Sequence, residues 1–300
     1  METPHLPGGL TARPLNVDDI DAVVALVNVC EMHDSGRTMM DRADLVGDSS
    51  VEGFDKERDW VGVFDGGRPI GWAVLTNGRS GWADVAPSYR GRGIGTWLRE
   101  FIETRGRAHA VDRVGQTIDD HAVDITDFFR AAGYSPRHAS WVLRIDHPSE
   151  PTEPAFPEGI TVRAFQPGDE DEGFTMFEEA FSEFTDRLPS TQVTWRAMTI
   201  ERETFTPDDL IWAVQGDRIV GGAYLIDPGD EIWIDKFAVH RDFRHRGIAR
   251  GMLHVAFRRS FERGYDHTRL STDSRTGALT LYERIGMRVV ESFTNWGIDL

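Results

Sequence analysis

The chain has 300 residues, room for two domains with separate cores at about 150 residues each. Hydrophobic residues make up 40% and charged residues 28%, a globular mixture, and no apolar run approaches the roughly 20 residues that span a bilayer. The formal net charge of −17 argues against nucleic acid and anionic membranes as partners; it serves solubility, and it also suits a cationic ligand such as an amine.

The opening "METPHLPGGLTARPL" has neither a basic start nor an apolar stretch, so no signal peptide is expected. Cys30 is the single cysteine, which excludes an internal disulfide and suits a cytoplasmic protein. It sits in the apolar pattern "DAVVALVNVC" and reads as a buried thiol. "PLNVDDIDAVVALVNVC" opens a helix with Asn16 as cap. "DWVGVFDGGRPIGWAVLT" predicts a hairpin turning at Asp65-Gly66-Gly67, and "GWADVAP" a short strand ending near Val85. Residues Gly93 to Ala108 have helical periodicity. "DRVGQTI" predicts a strand, "AVDITDFFRAAG" a helix with a glycine stop, and "SWVLRI" a closing strand.

"DHPSEPTEPAFPEG", Asp146 to Gly159, is rich in proline and carboxylates and reads as a linker. Beyond it the same order of elements returns: strand "ITVRAF", helix "EDEGFTMFEEAFSEF", and hairpin "LIWAVQGDRIVGGAYLI" turning at Gly216-Asp217. Strand "EIWIDKFAV", helix Gly247–Arg263, strand "HTRLST", helix "GALTLYERIG" and strand "ESFTNWGIDL" follow. The expected fold class is α/β, a mixed sheet with flanking helices in each half. The expected division is 1–145, linker 146–159, and 160–300.

Each half carries nearly the same phrase between a strand and a helix: "RGRGIGTWL" from Arg90 and "RHRGIARGML" from Arg244. The first amides of a helix lack internal partners, and the helix dipole makes that end positive. Gly93 and Gly247 let the backbone approach an anion closely, and Arg90, Arg92, Arg244 and Arg246 can add charge-assisted bonds. A nucleotide P-loop is excluded because no lysine follows either turn. A dinucleotide fingerprint is excluded because Thr96, His245 and Arg250 occupy its glycine positions.

The phrase resembles the acyl-coenzyme A pyrophosphate loop of the GNAT acetyltransferase superfamily, [QR]-x-x-G-x-[GA]. Arg90, Gly93 and Gly95 match in the first half, and Arg244, Gly247 and Ala249 in the second. The resemblance covers nearly the whole chain outside the linker. It implies two tandem GNAT domains with acetyl-CoA as co-substrate. The cradles would be Val85 with Arg90, Gly91, Arg92, Gly93, Ile94, Gly95 and Thr96, and Phe237, Ala238 and Val239 with Arg244, His245, Arg246, Gly247, Ile248 and Ala249.

The halves differ where the family does chemistry. "TGALTLYERIGM" resembles the family's late motif, which implies that Tyr282 stands near the coenzyme sulfur as general acid. Aligned on Gly133 and Gly286, the first half has Phe129 there, which has no proton to give, and its preceding strand is weaker and less polar. The second half is therefore expected to be catalytic and the first to be a cradle without turnover. Such a tandem arrangement is similar to that of mycothiol synthases, two-domain members of the superfamily. The resemblance also implies an oxyanion hole from the amides near Phe237 and Val239. Asp235 and Glu231 are candidate bases for the amine. Arg275 stands where the family often has asparagine and could reach a coenzyme phosphate. Trp195, Trp212, Trp233 and Trp296 could wall an amine site or fill cores. No His/Cys ligand spacing suggests a metal. A primary amine, in all expectation a small molecule, is the expected acceptor. The alternatives are a mycothiol-synthase-like enzyme and a non-catalytic acyl-CoA-binding module. A monomer is expected, since an internal repeat can replace a dimer.

Overall fold

The computed structural model describes residues 6–38, 40–185 and 187–300. Residues 1–5, on which part of the leader reading rests, lie outside the described residues. The chain forms two compact units, residues 1–137 with 294–300, and residues 138–293.

The first unit runs β1 (Thr11–Pro14), α1 (Ile20–Asp34), α2 (Arg42–Asp48), β2 (Trp60–Asp65), β3 (Arg68–Thr76), β4 (Ser80–Val85), α3 (Ile94–Ala108), β5 (Arg113–Asp119) and α4 (Val123–Ala131). β6 (Ser135–Asp146) begins in this unit and continues into the second. Asn16 caps the turn that leads into α1: its side chain accepts from the Asp18 amide while Asp19 accepts from the Asn16 amide, a reciprocal capping box. The sheet order is β1-β2-β3-β4-β5, and its core joins Val23, Val27 and Cys30 of α1 to Trp72 of β3 and Leu98 and Ile102 of α3. β1 and α2 are too short to show a periodic pattern in the sequence, at four and seven residues.

The second unit repeats this order with β7 (Ile160–Ala164), α5 (Glu170–Phe181), α6 (Gln192–Ala197), β8 (Leu210–Gln215), β9 (Arg218–Ile226), β10 (Ile232–Val239), α7 (Ile248–Glu262), β11 (His267–Asp273), α8 (Leu279–Ile285) and β12 (Arg288–Asp299). Its sheet runs β7-β8-β9-β10-β11-β6. One face packs Ile248, Met252 and Phe257 of α7 with Tyr282 of α8. The other packs Met176 and Phe177 of α5 with Trp195, Trp212 and Tyr224.

The final strand of each half lies elsewhere than the repeat suggests. From His138 onward β6 belongs to the second unit, where His267–Asp273 pairs antiparallel with Asp146–Ser140. β12 beyond Phe293 belongs to the first unit, and its place in the sheet order is beside β5. There Trp296 packs with Phe129 and Tyr134, and the Leu300 amide donates to the Asp112 carbonyl at 2.9 Å. The expected linker also lies wholly in the second unit. Arg258 of α7 donates to Glu150 at 2.6 Å and to the Pro151 carbonyl at 3.2 Å. A Cβ on Gly251 would meet the Ala155 carbonyl at 2.6 Å, so glycine there lets the segment lie against the helix. Proline stiffness predicted a spacer, but Phe156 gives this segment an apolar anchor in the second core. Among the described residues no helix is long and apolar enough to cross a membrane.

Candidate active site

Two forks in the sheets position the repeated loops. β4 pairs with β3 along its whole length but with β5 only at Ser80 and Gly81. β10 pairs with β9 to its end but with β11 only from Ile232 to Ile234. Past those points the parallel ladder stops, leaving one edge of Phe237, Ala238 and Val239, and of Val85, beside an opening between strands.

The loops that follow are nearly superimposable in their bonding. Arg90 Nε donates to the Val85 carbonyl at 3.0 Å, and Arg244 Nε to the Val239 carbonyl at 3.0 Å. The Arg90 guanidinium forks onto both oxygens of Asp34 at 2.7 Å, and Arg244 reaches Glu183 at 2.6 Å. Arg92 donates to the Ser88 carbonyl and stacks on Tyr89; Arg246 donates to the Asp242 carbonyl and stacks on Phe243. The sequence suggested phosphate contacts for these side chains. Instead, Arg90 and Arg244 tie each loop to the end of its own strand and to an acidic residue at the end of a helix, Asp34, or just past one, Glu183, while Arg92 and Arg246 brace the loop internally.

The backbone of each loop alternates in a way that suits an anion. Gly91 and Gly93 have φ of 73° and 86°, and His245 and Gly247 have 61° and 89°, left-handed residues separated by one position. Such alternation turns successive N–H groups inward as a nest, here at the N-terminus of a fifteen-residue helix. Neither helix has an acidic residue in its first turn, where Ile94, Gly95 and Thr96, or Ile248 and Ala249, stand. A Cβ on Gly247 would meet nothing within 4 Å, so open space lies over the helix end where a pyrophosphate would fit.

Beside the second fork, Tyr282 of α8 is 5% exposed, and its ring centroid lies 6.4 Å from that of Phe237. Burial pushes its phenol well above the ordinary value. Asp235 interrupts the β9–β10 register: Ile234 faces Leu225 and Lys236 faces Tyr224, so Asp235 is the extra residue of a β-bulge. Its carboxylate meets Lys236 Nζ at 2.6 Å. Glu231 stands at the opposite end of β10, about 20 Å from Phe237 at roughly 3.3 Å per residue. It is 2.8 Å from His267 Nε2 and 3.8 Å from Arg269. Arg275 folds back onto Asp273 at 2.6 Å, which holds that carboxylate below its usual range despite burial.

The first fork is built differently. Phe129 is buried edge-on against Tyr134 at 4.8 Å between centroids. Its β3–β4 register runs without a bulge from Gly71–Val85 to Thr76–Ser80. The strand is more polar than its sequence suggested. Asp84 accepts from the Trp72 indole at 2.9 Å and from Trp82 at 3.2 Å, and burial pushes its carboxyl up to about 6. The signal for it in the sequence was a carboxylate two residues after Trp82 in "GWADVAP". The Cys30 thiol, fully buried against this strand, is raised to about 12 by burial. Tyr134 keeps a phenol near Phe129 but donates it to Glu103 at 3.3 Å.

Trp195, Trp212 and Trp296 are buried in cores, Trp296 in the first unit's; Trp233 is half-buried beside Arg269 at 5.8 Å. Among the described residues no three His, Cys, Asp or Glu side chains gather as a metal site. A cavity of about 700 Å³ in the first unit is lined by Leu15, Ile20, Val46 and Trp60. It opens at the start of α1, about 21 Å along the helix axis from the Asp34 end at 1.5 Å per residue, and so is separate from the Arg90 loop.

The sequence pattern of the Acetyltransferase (GNAT) family matches residues 23–134 and 173–287. A mycothiol acetyltransferase of Thermobispora bispora is 26% identical, across 94% of this chain and 95% of its own length. Another, of Pseudarthrobacter chlorophenolicus, is 26% identical across 77% of this chain and 72% of its own. A GCN5-related N-acetyltransferase structure from Sphaerobacter thermophilus superposes with TM-score 0.77 and 31% identity, covering 98% of this chain and 97% of that one. A tandem GNAT protein from the clavulanic acid biosynthesis pathway superposes with TM-score 0.71 at 16% identity, covering 97% and 98%.

Proposed function

We propose, since this chain belongs to the GNAT acetyltransferase family, that its second half transfers acetyl from acetyl-CoA directly to a primary amine while its first half keeps a cradle without turnover. The asymmetry of the two forks carries this reading: the bulge at Asp235 and the phenol of Tyr282 occur beside the second loop only. Acyl-CoA is the family's co-substrate, and the nest at His245–Gly247 suits its pyrophosphate.

In the proposed mechanism, the amides near Phe237 and Val239 hold the thioester carbonyl oxygen as negative charge develops on it. Asp235 takes the proton the attacking amine must lose, directly or through water. Glu231 is the second candidate base, and its ion pairs and distance along the strand favour Asp235. Nitrogen bonds to the carbonyl carbon, the carbon–sulfur bond breaks, and Tyr282 protonates the departing sulfur. The site is proposed to work in a cytoplasmic monomer. The mycothiol acetyltransferase of Thermobispora bispora, matched along 94% of this chain, favours a second reading, an acceptor related to its own.

The test is thiol release from acetyl-CoA by the full-length protein with diverse amines. The reading expects turnover that Gly247→Val weakens through acetyl-CoA binding and Gly93→Val spares. Stoichiometric acetyl-CoA binding with no thiol released by any amine would make the protein a binding module instead.

A further inference from the structure

We infer that Asp235 and Lys236 form a clamp for a zwitterion, so that the acceptor is an amine carrying a carboxylate on the same or the next carbon, an amino acid by class. The inference rests on the proposed activity of the second half and identifies its substrate class. Three observations carry it.

The first is the bulge. Consecutive side chains of a regular strand point to opposite faces and cannot pair with each other. With no β9 residue opposite Asp235, the strand is re-aimed at that position, and its carboxylate and Lys236 Nζ come within 2.6 Å. Counted back from the end of the first unit's unbulged strand, the same two places hold the uncharged Gly81 and Trp82.

The second is location. The pair lies on β10 just past the last ladder contact with β11, between the fork and the Arg244 loop. Phe237 and Tyr282 close the α7 and α8 side. Lys236 lies on the other face, its Nζ 5.8 Å from the Tyr224 ring centroid. In this proposal an acceptor on that face is held by these two charges.

The third is availability. The side chains of Lys236 and Asp235 are 22% and 31% exposed, so they are reachable from solvent, and the structure pairs them with each other. Other cations of the second unit are committed in ion pairs: Arg244 to Glu183, Arg187 to Glu178, and Arg163 to Asp169. Only Lys56 and Lys236 of the 33 basic residues are lysines. Lysine is the cation that can swing its ammonium without breaking a planar fork. An incoming ammonium and carboxylate would each replace one partner of the existing pair. Both charges then stay compensated, which a simple amine or a simple acid cannot achieve. The net charge of −17 alone would favour a plain cation; Lys236 selects against one.

The experiment compares, by thiol release from acetyl-CoA with full-length protein, amino acids with their decarboxylated amines and their amides. Expected is a kcat/KM advantage of about 10- to 100-fold for the free carboxylates, the range of one charge-assisted hydrogen bond, expressed mainly in KM. Lys236→Gln should erase that advantage and Lys236→Arg should restore part of it. Acetyl-CoA binding by calorimetry checks that both variants fold. Thiol release that ignores the carboxylate, or a preference that persists in Lys236→Gln, overturns the clamp and leaves the acetyltransferase reading standing. No thiol release with any acceptor overturns both.

Discussion

Tyr282 and Asp84 show how burial assigns proton chemistry to single residues, for Asp84 with help from the nearby carboxylates Glu31 and Asp34. Burial raises the Tyr282 phenol above its reference value of about 10, so it remains a proton donor across the whole working range. As the proposed general acid it should contribute about 10²–10⁴-fold, roughly 3–5 kcal/mol at 1.4 kcal/mol per decade. Tyr282→Phe should therefore lose kcat by that factor while acetyl-CoA affinity holds, because the thiolate forms only at the transition state. Any alkaline fall in rate below pH 10 should survive in the variant. A Tyr282→Phe enzyme that keeps its kcat when chemistry limits the rate makes the residue a packing residue. For Asp84 the folded pKa, about 6, lies above the unfolded one. The stabilisation that goes with its proton is complete below about pH 4 and is lost as pH rises through 6. Asp84→Asn should thus melt higher than wild type at pH 7.5, by about 2–4 °C per kcal/mol, with the difference closing by pH 4. Equal melting at both pH values would show the carboxylate is comfortably charged where it stands.

Within each loop the glycine, not the arginine, meets the ligand in this reading. Gly247 begins α7 at φ 89° with open space around a would-be Cβ. Valine there must hold a left-handed backbone, at about 1–3 kcal/mol, and would place its methyls over the amides. Gly247→Val should remain folded and bind acetyl-CoA at least about tenfold more weakly at the second cradle, with Gly93→Val acting likewise on the first. Calorimetry on the two variants separates the cradles, and undiminished affinity in a folded Gly247→Val would remove the loop from the binding site. The arginines of the same loops have a different use. Arg90 and Arg244 each bond the carbonyl that ends the preceding strand, so changing them should loosen the loop as well as alter its charge.

At the scale of the whole chain, the last seven residues complete the first unit. Trp296 and Ile298 pack with Phe129 and Tyr134, Thr294 donates to Asp120 at 2.7 Å, and Arg137 reaches Asp299 at 2.7 Å. Deleting 294–300 should therefore weaken the N-terminal unit, with β5 and α4 losing amide hydrogen-exchange protection first. Protection lost only within 138–293 would contradict the division of the chain. The expected boundaries at 145 and 160 become, on the same grounds, a proposal about ancestry: two repeats in sequence, with their last strands assigned differently in space.

Features set by local chemistry were legible in the residues alone. The glycine turn at Gly93 and Gly247, the helical period after it, the hairpins, and phenylalanine in place of tyrosine at 129 all depend on a residue and its near neighbours along the chain. The family was suggested by the resemblance of the twice-written phrase at Arg90–Gly95 and Arg244–Ala249 to its coenzyme loop. What stayed hidden depends on partners far away in sequence. A strand's alternation says which face is apolar, not which strand lies beside it, so the placement of β6 and β12 could not be read. The bulge at Asp235 is a mismatch of register between two strands and leaves no mark on either one. Whether Arg90 meets a phosphate or Asp34, whether Trp296 lines a site or fills a core, and how far the Asp84 proton is held are decided by what packs around each group. Only the folded chain brings those neighbours together.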